Sequence, residues 1–438
     1  MTKRRPRIRS RRDYLLAHSP DRRLRILYRI RHAVGVLTVA VTVLFLLLNL
    51  QLLTPASIKN IRSSLAAASQ IASSDTTVIS YPAGSPDRIL PFGSGLAVCD
   101  NGMLTIELPG KYTQMEMEMN YADPVMRSSD QFLLIFDRGA NRYSVTNTLT
   151  KLDDRTVPSP IIDASIADNG NVAVVTNEAG YKSAVSVYNN IDEEPLYTWS
   201  SADYYIMSAA ISPDGTRLAL FCFGQDGLTL HSKLFFINTK VAECPADPEW
   251  TQSSREEDPN VHKVEGIDMG GSLCTGLSFI GRSTVCAVCD DGARIISRSG
   301  QIRSELSYAA DDLISFDLSD DDAAAICTTS YTQEGRAEIR LLNARSEQTR
   351  EPLILTEEPD SISYRDGRLA VLTGDTLTFY NRSLRQIDQQ HGFAGSSRVF
   401  MRAGNLCIAE FSSQARVTTV GNPPEDLTES AIPSTGNS

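Results

Sequence analysis

The chain has 438 residues, of which 42% are hydrophobic and 22% charged, and its net charge is −11 at pH 7. This composition excludes a disordered polyelectrolyte, and the length allows one large domain or two ordinary ones. Residues 1–32 carry about +10, which leaves about −21 on the remainder. A basic tip on an acidic body indicates two compartments or two partners.

Residues 1–32 form a basic tail that we expect in the cytoplasm. Ser19 and Pro20 have the character of an N-cap and a first helical residue, so a juxtamembrane helix is predicted to begin there. Five arginines of this helix are predicted to contact anionic lipid headgroups, namely Arg22, Arg23, Arg25, Arg29 and Arg31. The alternative is a nucleic-acid tail. No nucleic-acid partner is expected, because neither interleaved aromatic residues nor a nucleic-acid module accompanies the charge.

Residues 33–53, AVGVLTVAVTVLFLLLNLQLL, are predicted to be an uncleaved transmembrane signal-anchor helix. The run has no charged residue, and a helix of this length rises about 30 Å, enough to cross the hydrocarbon core. A buried core helix of this length would carry a polar face. A cleaved signal peptide has a shorter apolar region, and Pro55 makes a poor cleavage site. The positive-inside rule then places the C-terminal domain outside the cytoplasm.

A recurring unit follows a predicted stalk at 54–75 and fills residues 76–420. In each copy an apolar strand leads to a turn rich in Gly, Asp and Asn, and a second alternating strand follows. An example is TRLALFCFGQDGLTLHSKLFFIN at 216–238. A third short strand, such as SAAIS or SISY, precedes most copies. These are the features of β-hairpins with strong turn signals.

The spacing of the copies predicts the fold. The central residues of the apolar strands are Ala97, Leu134, Ala173, Ala219, Ala287, Ala325, Ala370 and Cys407. All but one of the intervals lie near the period of about 40–45 residues that is typical of a four-stranded propeller blade. A helical solenoid would show a period of 3.6, and a sandwich gives no reason for a recurring unit. We predict an all-β fold, a β-propeller of about eight blades with seven as the alternative, in which TTVIS at 76–80 closes the ring.

The one long interval contains an insertion at 243–266. It is polar and loop-like, and it contains Trp250 beside acidic residues. Glu249, Trp250 and Arg255 are predicted to contact a partner, whereas the alternative is a loop with no binding role. The last segment, 421–438, is predicted to be disordered.

Six cysteines lie in apolar strand-like runs, where a free thiol behaves as a small hydrophobic group. They are Cys99, Cys222, Cys286, Cys289, Cys327 and Cys407. Cys286 and Cys289 have the spacing of a metal knuckle, but no second pair completes it, and on a strand they point to opposite faces. We predict buried free thiols.

No motif in the chain indicates catalysis. His231, His262 and His391 are isolated from one another, and no nucleophile elbow, P-loop or dinucleotide-binding motif is present. The acidic run 320–322 lacks the ligand spacing of a calcium loop and is predicted to be a solvated turn. We therefore predict no catalytic residue, no metal ligand and no cofactor.

The segment ISPDGTRLALF at 211–221 resembles the WD40-like repeat of TolB-type and prolyl-oligopeptidase-type propellers. The matching residues are Ser212, Pro213, Asp214, Gly215, Leu218, Ala219 and Phe221. This resemblance implies a propeller and transfers no catalytic residue. The order of basic tip, single span and diverged propeller is similar to that of an uncharacterised family of single-pass membrane proteins from Gram-positive, clostridia-like bacteria. That resemblance implies a topology and little about activity.

Together these features favour a membrane-anchored, extracytoplasmic propeller that binds a protein or an envelope polymer and is not an enzyme. One alternative is an enzyme that acts on surface glycans or peptides in the propeller channel. A second is a transmembrane sensor that relays an outer signal to residues 1–32.

Overall fold

The computed structural model describes residues 77–81, 88–110, 112–239, 266–308, 311–319, 322–329, 336–343 and 351–421. All of them belong to one compact unit, Asn60–Ser438. The predicted tail, span and stalk, and all but the first residue of the 421–438 segment, lie outside these ranges. Within them, no helix has the length and apolar character needed to cross a bilayer.

The described residues form eight four-stranded antiparallel sheets, numbered as blades 1 to 8 along the chain. The first strand, β1 (Thr77–Ser80), belongs to blade 8. Blade 1 contains β2 (Ile89–Phe92), β3 (Gly95–Asp100), β4 (Met103–Leu108) and β5 (Tyr112–Glu118). Blade 2 contains β6 (Pro124–Ser128), β7 (Leu133–Asp137), β8 (Arg142–Thr146) and β9 (Lys151–Thr156). Blade 3 contains β10 (Ile161–Ile166), β11 (Val172–Thr176), β12 (Ser183–Tyr188) and β13 (Tyr197–Ser201).

The remaining blades continue the pattern. Blade 4 contains β14 (Tyr205–Ile211), β15 (Arg217–Asp226), β16 (Thr229–Asn238) and β17 (Ile267–Asp268). Blade 5 contains β18 (Cys274–Ile280), β19 (Thr284–Cys289), β20 (Gly292–Ser297) and β21 (Ile302–Ser307). Blade 6 contains β22 (Leu313–Asp317), β23 (Ala323–Thr329), β24 (Ala337–Asn343) and β25 (Leu353–Leu355). Blade 7 contains β26 (Ser361–Arg365), β27 (Arg368–Thr373), β28 (Thr376–Asn381) and β29 (Gln386–His391). Blade 8 contains β30 (Arg398–Arg402), β31 (Leu406–Glu410), β32 (Gln414–Thr419) and β1.

The second strand of each blade explains the repeat seen in the sequence. All eight central residues predicted from the spacing lie on these strands. Neighbouring positions on one strand enter different interfaces: Ala173 packs towards blade 4, whereas Val172 and Val174 pack towards blade 2. Because both faces are covered, the strand is a continuous apolar run, and small residues at its centre let adjacent sheets approach closely. The eight-blade prediction is confirmed, and the seven-blade alternative is wrong.

Eight hydrophobic clusters join the sheets into a ring. Each cluster contains residues of two neighbouring blades, and the series runs from blades 1 and 2 to blades 8 and 1. Cys286 lies in the cluster shared with blade 6 and Cys289 in the cluster shared with blade 4. The prediction that these thiols face opposite ways is therefore confirmed. The six cysteines predicted to be buried are all buried and free.

The ring closes where β1 pairs with β32, with Ile79 opposite Ala415. Ile79 is fully buried in the cluster between blades 8 and 1. The Tyr81 hydroxyl, just after β1, lies 2.8 Å from the Gln414 carbonyl oxygen. The N-terminal strand thus supplies the outer strand of the last blade, as the sequence predicted.

The Ser-Pro-Asp-Gly segment is the turn between β14 and β15. Asp214 Oδ1 accepts hydrogen bonds from Ser212 Oγ at 2.7 Å and from Thr216 Oγ1 at 2.7 Å. Burial acts to raise the pKa of Asp214, but these hydrogen bonds outweigh it and lower the pKa. Gly215 has φ +69°, which favours glycine. The four residues therefore act as a turn.

Because β1 closes the ring, adjacent residues of this strand are expected to contribute different amounts to the free energy of unfolding. Ile79→Ala is expected to lower the free energy of unfolding by about 2 to 5 kcal/mol, because it leaves a cavity between blades 8 and 1. Val78→Ala, at a half-buried position of the same strand, is expected to cost less than about 1 kcal/mol. Urea unfolding of the full-length protein measures both values. Equal costs would contradict the closure described above.

Candidate functional site

The eight innermost strands surround a central channel of about 720 Å³. These strands are β2, β6, β10, β14, β18, β22, β26 and β30. They all run in one direction along the channel, from what we call the top face, where they begin, to the bottom face, where they end. Serines are frequent along the wall, namely Ser128, Ser129, Ser165, Ser208, Ser278, Ser315, Ser319, Ser361 and Ser363.

Several of these polar groups link one blade to the next. Asp317 Oδ2 of blade 6 accepts hydrogen bonds from Ser363 Oγ at 2.7 Å and from the Tyr364 N–H at 2.8 Å. Ser363 Oγ in turn accepts the Met401 N–H of blade 8 at 2.9 Å. This part of the wall is therefore structural, because its side chains satisfy the backbone of neighbouring inner strands.

Asp163 on β10 is a mostly buried carboxylate in the wall. Its side chain is 15% exposed, and Oδ1 lies 3.5 Å from Arg127 Nη2 of blade 2. Its hydrogen bonds from blade 4 are long, with Oδ2 lying 3.4 Å from the Ala209 nitrogen. Burial raises the pKa of Asp163, and the positive charge of Arg127 only partly opposes that shift. A carboxyl group with a raised pKa in a channel wall marks a candidate binding position.

The bottom mouth of the channel gathers charges from distant blades. Arg365, which ends β26, forms an ion pair with Asp130, which follows β6. Blades 7 and 2 are three steps apart around the ring, so this contact crosses the mouth. Arg402, which ends β30, donates from Nη2 to the Gly93 carbonyl oxygen at 2.8 Å. Asp168 Oδ1 accepts the Asp130 N–H at 3.1 Å.

At the opposite end of β30, the first residue of the strand forms a bidentate ion pair. Arg398 contacts Glu410 through two hydrogen bonds, Nε to Oε2 at 2.9 Å and Nη2 to Oε1 at 3.2 Å. The Glu410 side chain is 1% exposed, whereas that of Arg398 is 33% exposed. This bidentate pair fixes the start of the inner strand within blade 8.

The top face of blades 3 to 5 exposes aromatic and aliphatic side chains. Tyr205, at the start of β14, stacks on Phe223 with ring centroids 5.2 Å apart. Lys182 Nζ of blade 3 lies 5.3 Å from the centre of the Tyr205 ring. The adjacent Tyr204 packs edge-on against His231. These contacts place aromatic side chains where the inner strand β14 meets the β15–β16 hairpin.

A long hairpin carries this surface outwards. Strands β15 and β16 have ten residues each, and Leu228 in their turn is 99% exposed. Leu230 is 52% exposed and Leu273, in the connection to blade 5, is 44% exposed. The connection is tied to the hairpin because Ser232 Oγ donates to the Ser272 carbonyl oxygen at 2.6 Å. We call Tyr205, Leu228, Leu230 and Leu273 the top-face patch.

Most of the sites predicted from the sequence fall outside the described residues. These are the predicted partner contacts Glu249, Trp250 and Arg255, and the arginines predicted to contact lipid, namely Arg22, Arg23, Arg25, Arg29 and Arg31. The last residue before that part of the insertion, Thr239, donates from Oγ1 to the Gly215 carbonyl oxygen at 3.0 Å and lies at the bottom face. Asp322, the described member of the acidic run, pairs with Arg382 at 3.8 Å.

The structure adds residues that sequence reasoning missed. Arg365 and Arg402 are the last residues of the inner strands SISYR and RVFMR. An arginine as the last residue of an inner strand was a usable signal for them. The contact between the thiols of Cys274 and Cys289, which lie opposite each other on β18 and β19, had no such signal. The hydrogen bond that the Cys274 thiol donates to Cys289, together with burial, raises the pKa of Cys274.

Eight four-stranded sheets, closed around a channel by pairing of the first and last strands, define the chain as a β-propeller. Within that class the chain belongs to a family of unknown function (DUF5711), which matches residues 75–390. The matched residues extend from just before β1 almost to the end of β29, which includes seven blades and stops before β30.

Two solved structures show distant similarity. BamB from Moraxella catarrhalis is 13% identical, with 78% of this chain and 99% of that chain covered and a TM-score of 0.45. Apo AztD from Citrobacter koseri is 10% identical over the same shares, 78% and 99%, with a TM-score of 0.47. No curated protein matches the chain. The identities are too low to transfer a function.

The raised pKa of Asp163 predicts a pH-dependent effect of its removal. The folded state binds this proton more tightly than the unfolded chain, whose Asp pKa is about 3.9. The stabilisation linked to the proton is complete below that value and is lost as pH rises through the folded pKa. Asp163→Asn, which mimics the protonated form, should therefore raise the unfolding midpoint at pH 7 to 8.

Thermal unfolding between pH 4 and pH 8 measures this difference, which should shrink as the pH falls. Asp153→Asn is the control, because Asp153 is equally buried, at 15% exposure, but pairs with Arg155 at 3.3 Å away from the channel. A lower midpoint for Asp163→Asn at pH 8 would show that the pair with Arg127 outweighs the cost of burial.

Proposed function

We propose that this protein is a membrane-anchored, extracytoplasmic scaffold that binds a protein partner through the top-face patch. In this proposal the propeller is not a catalyst. The observation that carries it is the projection of Leu228 and Leu230 from the β15–β16 hairpin, on the same face of the propeller as the stacked Tyr205. The anchor is supported by the uncharged run at 33–53, and the basic residues before it are proposed to contact anionic lipid.

The patch has the composition of a protein-binding surface. A nearly fully exposed leucine at a hairpin tip contributes nothing to the ring, and neighbouring exposed apolar side chains mark interaction sites in soluble domains. Tyr205 is already ordered by its contacts with Phe223 and Lys182. An ordered aromatic side chain loses little conformational entropy on binding, which favours it as an interface anchor.

The aliphatic part of the patch favours a protein over an envelope polymer. Aromatic rings can stack on sugar rings, but Leu228 and Leu230 gain free energy mainly by entering an apolar pocket. A polysaccharide offers hydroxyl groups and little apolar concavity. A folded partner with an apolar cleft bordered by polar groups fits the projecting hairpin best.

The partner test uses a photo-crosslinking amino acid at Leu228 of the full-length protein in its native membranes. We expect one discrete crosslinked protein, and its yield should fall at least about tenfold when Leu230→Asp is added, because a charge then enters the buried centre of the interface. The matched control places the same probe at Ile354, which is 57% exposed on the outer strand of blade 6. Equal crosslinking from Ile354, or a polysaccharide adduct at Leu228, would contradict the proposal.

The anchoring proposal has its own test. A reporter that is active only outside the cytoplasm, fused after Ser438, should be active, and the mature protein should retain its N-terminal residues. Replacing the five arginines of 22–31 with glutamine should reduce or invert this orientation. A reporter that is active only in the cytoplasm would overturn the proposed topology and leave the top-face interaction to be tested separately.

A further inference from the structure

Two arginines and an aspartate from three blades meet at the bottom mouth of the channel. Arg365 and Arg402 end adjacent inner strands, and Asp130 follows the inner strand of blade 2. All three line the channel. Because like charges repel, two guanidinium groups at one opening require a nearby anion.

Arg402 is the less satisfied of the two arginines. Its guanidinium donates one hydrogen bond, to the Gly93 carbonyl oxygen, and it makes no ion pair with any residue that the structure describes. Burial, and then the positive charge of Arg365, lower the pKa of Arg402 to about 10, while Asp130 opposes this shift. A guanidinium has five N–H donors, so most donors of Arg402 are available to a group entering the channel.

Asp130 supplies the carboxylate that now faces these arginines. Its Oδ1 accepts a hydrogen bond from Arg365 Nη2 although the two residues are 235 positions apart. The Asp130 side chain is 58% exposed, and water screens so exposed an ion pair, which makes it weak. The backbone of Asp130 is held in place by the hydrogen bond from its N–H to Asp168 Oδ1. The Asp130 side chain can therefore move away from Arg365 while the Asp130 backbone stays in place.

We propose that the bottom mouth binds the carboxylate of a small polar ligand, and that Asp130 is an internal placeholder which the ligand displaces from Arg365. Because the ligand takes the place of one carboxylate at Arg365, a monoanion leaves the total charge of the mouth unchanged, whereas a phosphate dianion adds a negative charge. Serine hydroxyls along the wall suit a hydroxylated ligand. A sugar acid fits both conditions. This site lies opposite the top-face patch and is independent of the proposed partner.

Calorimetric titration of the full-length protein tests the proposal with glucuronate, glucose and glucose 6-phosphate, which share one sugar ring and differ in charge. Glucuronate should bind, and the other two should bind at least about tenfold more weakly, because charge-assisted hydrogen bonds to a carboxylate are lost or opposed. Asp130→Asn should strengthen glucuronate binding by up to about fivefold, because the competing carboxylate is gone.

Variants of the second arginine complete the test. Arg402→Gln should weaken glucuronate binding at least about tenfold, and Arg402→Lys should weaken it less, because lysine keeps the charge but loses the planar fork. Arg217→Gln is the control, since Arg217 also donates to a backbone oxygen, that of Arg282 at 3.0 Å, but lies outside the channel lining. Circular dichroism verifies that each variant is folded.

Three results would overturn the proposal. The first is glucuronate binding no tighter than glucose in both the wild type and Asp130→Asn. The second is an unchanged affinity in folded Arg402→Gln and Arg402→Lys. The third is tighter binding of glucose 6-phosphate than of glucuronate, which would exclude a monoanion site. None of these results depends on the top-face partner.

Discussion

Face-to-face packing between neighbouring blades is the interaction on which the rest of the structure depends. No single four-stranded sheet can bury both faces of its second strand, and each blade obtains that burial only from the blades on either side. The ring therefore has to close. Closure creates the channel, brings distant inner strands to a common mouth, and leaves the hairpin of blade 4 free to extend beyond the packed region.

The fold could be predicted because it is repeated. Alanine or another apolar residue recurs at the centre of each second strand, and turn residues such as Asp214 and Gly215 mark where strands end. These are local signals, and local signals survive in a single sequence. The count of eight followed from the spacing alone. Ring closure by 76–80 followed from the need to complete the last sheet.

The candidate sites could be predicted far less well. Arg365 and Asp130 are far apart in the chain, and their contact exists only because ring closure places blades 7 and 2 three steps apart around one mouth. No local sequence pattern encodes the positions of two distant blades around the ring. The burial that perturbs Asp163 is likewise a property of the assembled wall, not of the strand IIDASI. The exposed Leu228 resembles any other turn residue until the length of the hairpin is known.

Ring closure between β1 and the last blade also affects the order of folding. Tyr81 bonds to a residue 333 positions later, so the first strand remains without its native neighbour until nearly the whole propeller has been synthesised. At about 5–20 residues per second, that delay is roughly 20 to 70 seconds. During this time blades 1 to 7 can stack on one another, but the stack keeps two open ends with exposed apolar faces. Chaperone protection and resistance to proteolysis during synthesis are therefore expected to depend on the last thirty or so residues of the propeller more than on any blade before them.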